Sequence, residues 1–201
     1  MSTTITASDV KALRDQTGAG MMDCKGALEE AGGDMQKAIE IIRVKMGNKV
    51  GKLAGRETSE GTVQAYIHAN GKLGALVEVD CNTDFVATNE DFVAFAKDVA
   101  LHIAGSPTTK YVSVEDVPED DKEAEKRVIV QQLENVPEQA RDKAAEGKLR
   151  KWYEEVVLLE QPHVNGDKHD GKTIEQMRAD LSAKTGENVV IRRFSRFAVG
   201  D

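Results

Sequence analysis

Aromatic side chains are scarce in this sequence: Phe, Trp and Tyr make up 4% of its 201 residues. Any core must therefore be built mainly from Val, Leu, Ile, Ala and Met, for which an apolar fraction of 40% is ample. Cysteine is scarcer still, with only Cys24 and Cys81, far apart and outside any CxxC or Cys/His spacing. A structural zinc site takes about four ligands, so none is expected, and the two thiols read as reduced side chains in a reducing compartment. Positive charge is in deficit, 27 Lys and Arg against 35 Asp and Glu, a net charge of -8. Nucleic-acid binders draw most of their affinity from neutralising phosphate. No Lys/Arg cluster here is long or interleaved with aromatics, so no direct nucleic-acid partner is expected. No apolar run is long enough to span a bilayer. The opening Met1-Ser2-Thr3-Thr4-Ile5-Thr6 lacks a charged region followed by an apolar one, so it reads as no signal peptide. Together these absences predict a cytoplasmic protein with no membrane partner.

What is present begins with three short helical patterns. Thr6 or Ser8 can cap the first, which carries Val10, Leu13 and Thr17 at helical spacing until Gly18-Ala19-Gly20. The second runs through Asp23, Ala27 and Leu28 to Gly32-Gly33. Asp34 caps the third, which places Ala38, Ile39, Ile42 and Met46 on one face. Helices this short must share one small core and leave a surface free to bind something. From Asn48 to Gly61 the pattern fades into a polar connection.

The clearest hairpin signal follows: Val63, Ala65 and Ile67 alternate with polar residues, Asn70-Gly71 turns, and Leu73 to Val79 returns. Asn-Gly suits a tight turn in which both residues take positive φ. Asn89 can cap a long amphipathic helix bearing Phe92, Phe95, Ala96, Val99 and Ile103, which Pro107 ends. A β-prone piece from Tyr111 to Val114 precedes an acidic run, then helical pattern to Leu159, interrupted near Pro137 and Gly147. A turn-rich loop spans Pro162 to Gly171, a helix runs from Thr173 to Gly186, and Asn188 to Val199 reads as a strand with a register irregularity. The fold class expected is α+β, a three-helix module followed by a small antiparallel sheet flanked by helices.

Few constellations carry chemistry. Gly18-Ala19-Gly20 follows a helix, not a strand, and Asp23 occupies the third glycine's place in a dinucleotide fingerprint. No Gly-Lys-Ser/Thr occurs. His68, His102, His163 and His169 sit beside no nucleophile, and each reads as a core or surface histidine. Asn165, Asp167 and Asp170 fit a calcium loop poorly, with Gly171 misplaced and no closing glutamate. Neither catalysis, metal nor cofactor is expected. That leaves Thr83-Asp84-Phe85-Val86, which has two uses open to it. Phe85 can fill the core while Asp84 caps a turn, or Phe85 can project as a wedge with Asp84 making polar contacts beside it.

Two stretches carry a resemblance. Leu13-Arg14-Asp15-Gln16-Thr17-Gly18-Ala19-Gly20-Met21-Met22-Asp23-Cys24-Lys25 resembles the N-terminal signature of bacterial translation elongation factor Ts. Glu78-Val79-Asp80-Cys81-Asn82-Thr83-Asp84-Phe85-Val86-Ala87 is similar to that family's second signature. Asp80 stands where the family has Asn, and Asn82 where it has Gln or Glu. Leu101-His102-Ile103-Ala104, Leu158-Leu159-Glu160-Gln161-Pro162 and Arg193-Phe194-Ser195-Arg196-Phe197 match as well, with His163 in place of the usual Phe.

The resemblance implies a guanine-nucleotide exchange factor for elongation factor Tu, with no enzymatic activity of its own. It implies a module resembling a ubiquitin-associated domain over 1–50, a linker over 51–61 and a core over 62–201. The module would dock on the partner's G domain through Arg14, Met21, Met22 and Lys25. Thr83, Asp84, Phe85 and Val86 would press near the partner's magnesium site, and the core would also touch its third domain. Short members of the family are expected to pair through their cores, which implies a homodimer and a two-plus-two complex. A cysteine at position 195 could bridge such subunits; Ser195 makes any pairing noncovalent there. An alternative use of the three helices is as a protein-binding adaptor without exchange activity, and removal of residues 1–50 would separate the two.

Overall fold

The structure is a computed structural model that describes residues 5–201. Residues 1–4, the start of the stretch assessed for a leader, lie outside the described residues. The fold is α+β, with eight helices and one three-stranded antiparallel sheet among the described residues. The chain forms two compact units. The first holds residues up to Thr62 with Val79–Ala94 and Gln176–Val190; the second holds Val63–Glu78, Phe95–Glu175 and Ile191–Asp201.

The first unit opens with α1 (Ala7–Thr17), α2 (Met21–Glu30) and α3 (Met35–Leu53). Thr6, not Ser8, caps α1. Its Oγ1 accepts from the Asp9 N–H at 3.3 Å, and its own N–H donates to Asp9 Oδ2 at 2.9 Å, a reciprocal capping box. Gly18, at φ 68°, ends the helix by donating its N–H to the Arg14 carbonyl at 2.8 Å. Asp34 caps α3 by accepting from the Lys37 N–H at 3.1 Å. The three helices share a core of Val10, Leu13, Ala19, Cys24, Ala27, Leu28, Ala38 and Ile42, with Ile39 and Met46 packed at its margin. Truncating a leucine buried like Leu13 or Leu28 costs about 2–5 kcal/mol.

Helix α3 continues through Leu53, past Asn48 where its pattern fades. Gly47 and Gly51 lie in open space on it, at roughly 1 kcal/mol each relative to alanine. Tertiary anchors offset that cost: Lys49 Nζ donates to the Ala183 carbonyl at 2.8 Å, Leu53 is buried, and Asn188 Nδ2 donates to the Ala54 carbonyl at 3.2 Å.

The sheet has the order β1 (Glu60–Ile67), β2 (Leu73–Cys81), β3 (Val190–Ala198). Its hairpin turn differs from the tight form expected of Asn-Gly. Gly71 has φ 67° and donates to the His68 carbonyl, but Asn70 keeps negative φ and its Oδ1 accepts from the Lys72 N–H at 3.0 Å. The asparagine side chain satisfies the turn itself, so only the glycine needs the left-handed conformation. Gly61 is required for a different reason: a Cβ there would lie 2.4 Å from the Val79 carbonyl oxygen. On β2, Ala75, Val77, Val79 and Cys81 are buried. Val63, Ala65 and Ile67 are exposed, as are Leu76 and Phe197. Burial along β3 alternates from Arg193 on but breaks where buried Ile191 meets exposed Arg192 and Arg193, at the irregularity read from the sequence.

Helix α4 (Asp84–Ala87) is a single turn ahead of α5 (Glu90–Gly105). Asn89 caps α5 by accepting from the Asp91 N–H at 2.8 Å. Helices α6 (Glu119–Gln132) and α7 (Glu138–Val156) follow Pro118 and Pro137, and α7 runs unbroken through Gly147, around which no atom crowds. Tyr111 to Val114 forms no strand. Tyr111 makes one parallel bridge to Val157, and Val117, Val156 and Val157 bury beside Trp152. Helix α8 (Ile174–Thr185) ends at Gly186, φ 75°.

Candidate partner-binding site

The Thr83-Asp84-Phe85-Val86 segment leaves β2 and turns at once into α4. Thr83 is the N-cap, with its Oγ1 accepting from the Val86 N–H at 3.5 Å. One carboxylate holds the approach to this turn. Glu187 Oε2 accepts from the Asn82 N–H at 2.9 Å and the Thr83 N–H at 3.1 Å, while Oε1 accepts from Thr83 Oγ1 at 2.6 Å. These are charge-assisted bonds, the stronger kind.

The neighbouring side chains brace the same point. Asn82 Oδ1 accepts from the Asn188 N–H at 2.8 Å, and Asn82 Nδ2 donates to the Glu57 carbonyl. Asn188 Nδ2 in turn donates to the Ala54 and Arg56 carbonyls at 3.2 and 3.0 Å. Cys81 Sγ donates to the Thr83 carbonyl at 3.2 Å. Burial first, and the Glu187 charge second, push the Cys81 thiol up to about 11, so it stays a neutral donor.

On this braced turn Ala87 is buried and Phe85 is 83% exposed. Phe85 therefore does not fill the core, and of the two uses open to it only outward projection fits. A phenylalanine held in water on this turn leaves apolar surface uncovered. Asp84 is exposed beside it, its backbone carbonyl accepting from Thr88 Oγ1 at 3.0 Å.

The N-terminal candidates belong to the same compact unit. Met21 and Met22 open α2 and are 50% and 77% exposed. Unbranched methionines suit a surface that must adapt to a partner. Arg14 lies in the last turn of α1 and lines a cavity of about 550 Å³ with Met21, Met46, Lys45 and Lys49. Lys25 is exposed, its ammonium 3.8 Å from Glu29 Oε1, a separation at which a surface pair is worth about 0–1 kcal/mol and yields readily.

Glu187 and Asn188 were not singled out from the sequence. Their targets lie more than a hundred residues away, and no local spacing marks them. Among the described residues no group of three or more His, Cys, Asp and Glu is placed to hold a metal ion, and no helix is long and apolar enough to cross a membrane.

Comparison with known proteins adds an independent line. The family model described as "Elongation factor TS" matches residues 4–170. The chain is 49% identical to elongation factor Ts of Finegoldia magna, over 98% of this chain and 90% of that protein. It is also 49% identical to the Coprothermobacter proteolyticus protein of the same name, over 98% and 99%. The corresponding protein of Trichodesmium erythraeum is 45% identical over 98% and 90%. With the family model covering most of the chain and the relatives matching nearly end to end, the chain belongs to the elongation factor Ts family of translation elongation factors.

Proposed function

We propose that this chain is a non-catalytic guanine-nucleotide exchange factor that acts on elongation factor Tu in the cytoplasm. The observation that carries the reading is Phe85, exposed on a turn that Glu187 holds through three donors. Thr83, Asp84, Phe85 and Val86 disturb the partner's magnesium site, and Arg14, Met21, Met22 and Lys25 dock on its G domain. The module is taken as 1–50, the linker as 51–61 and the core as 62–201, with the core also reaching the partner's third domain.

Linkage sets the mechanism. A factor that speeds nucleotide release binds the empty partner more tightly than the loaded one, and nucleotide weakens the factor's grip by the same ratio. Burying a phenylalanine contributes about 1.5–3 kcal/mol, one to two decades in an equilibrium. Most of the Phe85 surface remains to be covered on binding. Release beyond two decades must come from lost magnesium contacts and from the N-terminal docking surface.

A homodimer and a two-plus-two complex belong to the same proposal. On the outer face of the sheet Ile67, Gly74 and Phe197 form one row; Ala65, Leu76 and Ser195 form the next. The Leu73–His68 and Lys72–Val199 backbone bonds set this register, and the Arg193–Glu78 ion pair extends it. Phe197 is 69% exposed there, with Val63, Ile67, Leu76 and Val199 also exposed. A self-complementary apolar patch of this kind suits a two-fold interface.

The test is release of fluorescent GDP from elongation factor Tu, followed by stopped flow at rising concentrations of the purified chain. Release that accelerates with concentration supports the proposal. Binding to the partner with no acceleration would instead favour an adaptor.

A further inference from the structure

The loop over residues 161–172, together with α5, contains a cluster to which the exchange reading assigns no role. Backbone bonds close its base: His163 N–H donates to the Lys172 carbonyl at 3.0 Å, and Ile174 N–H to the Gln161 carbonyl at 2.9 Å. Beyond the base, three imidazoles stack in sequence. The rings of His102 and His163 lie 5.4 Å apart, and those of His163 and His169 lie 4.3 Å apart, edge to face. His102 and His163 are almost wholly buried.

Backbone donors dictate the protonation of two of these rings. His102 Nδ1 accepts from the Val164 N–H at 3.1 Å, and His163 Nδ1 accepts from the Asn165 N–H at 3.0 Å. A backbone N–H can only donate, so both Nδ1 atoms must be bare, and each neutral ring carries its proton on Nε2. The two Nε2–H groups then donate to Gln161 Oε1 at 2.8 Å and to the Asp98 carbonyl at 3.0 Å. Gln161 Oε1 also accepts from Thr109 Oγ1 at 2.8 Å. Every polar atom of both rings is therefore matched, and only for the neutral form.

We propose that the 161–172 loop is a proton-released latch, closed on α5 while His102 is neutral and opened when it takes up a proton. Protonation turns Nδ1 from acceptor into donor, facing a backbone N–H that then has no partner within a buried site. The charged groups around the cluster are Asp98 of α5 and Lys168 and Lys172 of the loop; Arg196 of β3 is bound to the Ala104 carbonyl and Asp201. Lys168 Nζ takes both Asp98 oxygens, at 2.7 and 2.8 Å. His169 Nε2 lies 3.3 Å from Asp98 Oδ2 without an aligned hydrogen bond. Asp98 is thus already engaged by a lysine. Burial holds His102 below the ordinary imidazole range, in the sense the latch requires.

The test is NMR on the full chain, reading imidazole tautomers and amide hydrogen exchange corrected for intrinsic rates. At about pH 7.5 both His102 and His163 should carry the proton on Nε2. At about pH 5.5 the Val164 and Asn165 amides should lose protection by up to about tenfold, the most one imidazole of ordinary value about 6.5 can contribute there, while Val77 and Ala100 keep theirs. His163→Phe, with folding checked by circular dichroism, should leave the pH dependence at Val164, which His102 carries. A proton on Nδ1 of either ring would overturn the latch. So would equal protection at both pH values, or a loss shared equally by the sheet.

Discussion

The Thr83–Ala87 turn and the 161–172 loop are both irregular segments held by side chains that accept from backbone N–H groups, but the acceptors differ in kind. Glu187 offers two oxygens that only accept, and it takes three donors with them. His102 and His163 each offer one nitrogen that accepts only while bare. A carboxylate clamp suits a turn whose proposed role is to present Phe85 in a fixed position. An imidazole latch holds by neutral bonds, which are weaker, but carries its own release.

Removing the clamp has the largest expected effect. Glu187→Ala leaves the Asn82 and Thr83 donors without their acceptor and should cost about 3 kcal/mol, since bonds to charged groups contribute about 1.5–3 kcal/mol each and are not additive. Glu187→Gln keeps an acceptor and should lose about 1 kcal/mol. Urea unfolding measures both, and a loss below about 1 kcal/mol for the alanine variant would show that the turn is held elsewhere.

Acidification comes next and separates the two segments. The folded-state values of His102 and His169 are depressed by burial. Below the ordinary imidazole value of about 6.5 the unfolded chain therefore binds more protons than the folded one. The contribution of these groups is complete above that pH and is lost as pH falls through the depressed folded values. Urea midpoints should fall between about pH 7.5 and about pH 5.5. A wild-type midpoint that rises would contradict the sign.

The smallest effect is expected at Lys168. Its pair with Asp98 is well aligned, but the lysine is half exposed, so Lys168→Ala should cost about 0.5 kcal/mol. A loss near 2 kcal/mol by the same measurement would move the loop's anchorage from the imidazoles to the ion pair.

Local chemistry made the module legible. Thr6, Gly18 and Asp34 are cap residues whose effect is felt within one turn, and they bound α1 and the start of α3 as their types suggest. Misread features were those that distant contacts decide. Helix α3 outlasts its glycines because Lys49 and Ala54 are tied to residues near the far end of the chain and Leu53 is buried. The β-prone piece at Tyr111 makes one bridge, to Val157, and no strand. At the candidate site, the order of residues identified Phe85 but left two uses open for it. Its exposure excludes the core use, and the turn that carries it is held by Glu187, whose role no neighbouring residue reveals. His102 was readable as a core histidine from its apolar neighbours. That it faces His163 follows only from the closure of the loop.

Phe85→Ala tests the central claim most directly, with circular dichroism and urea unfolding run beside stopped-flow release of fluorescent GDP from elongation factor Tu. Phe85 is exposed, so stability should stay within about 0.5 kcal/mol. Release should slow by about one to two decades, with much of the binding retained. Unchanged release by a folded Phe85→Ala protein would contradict the account.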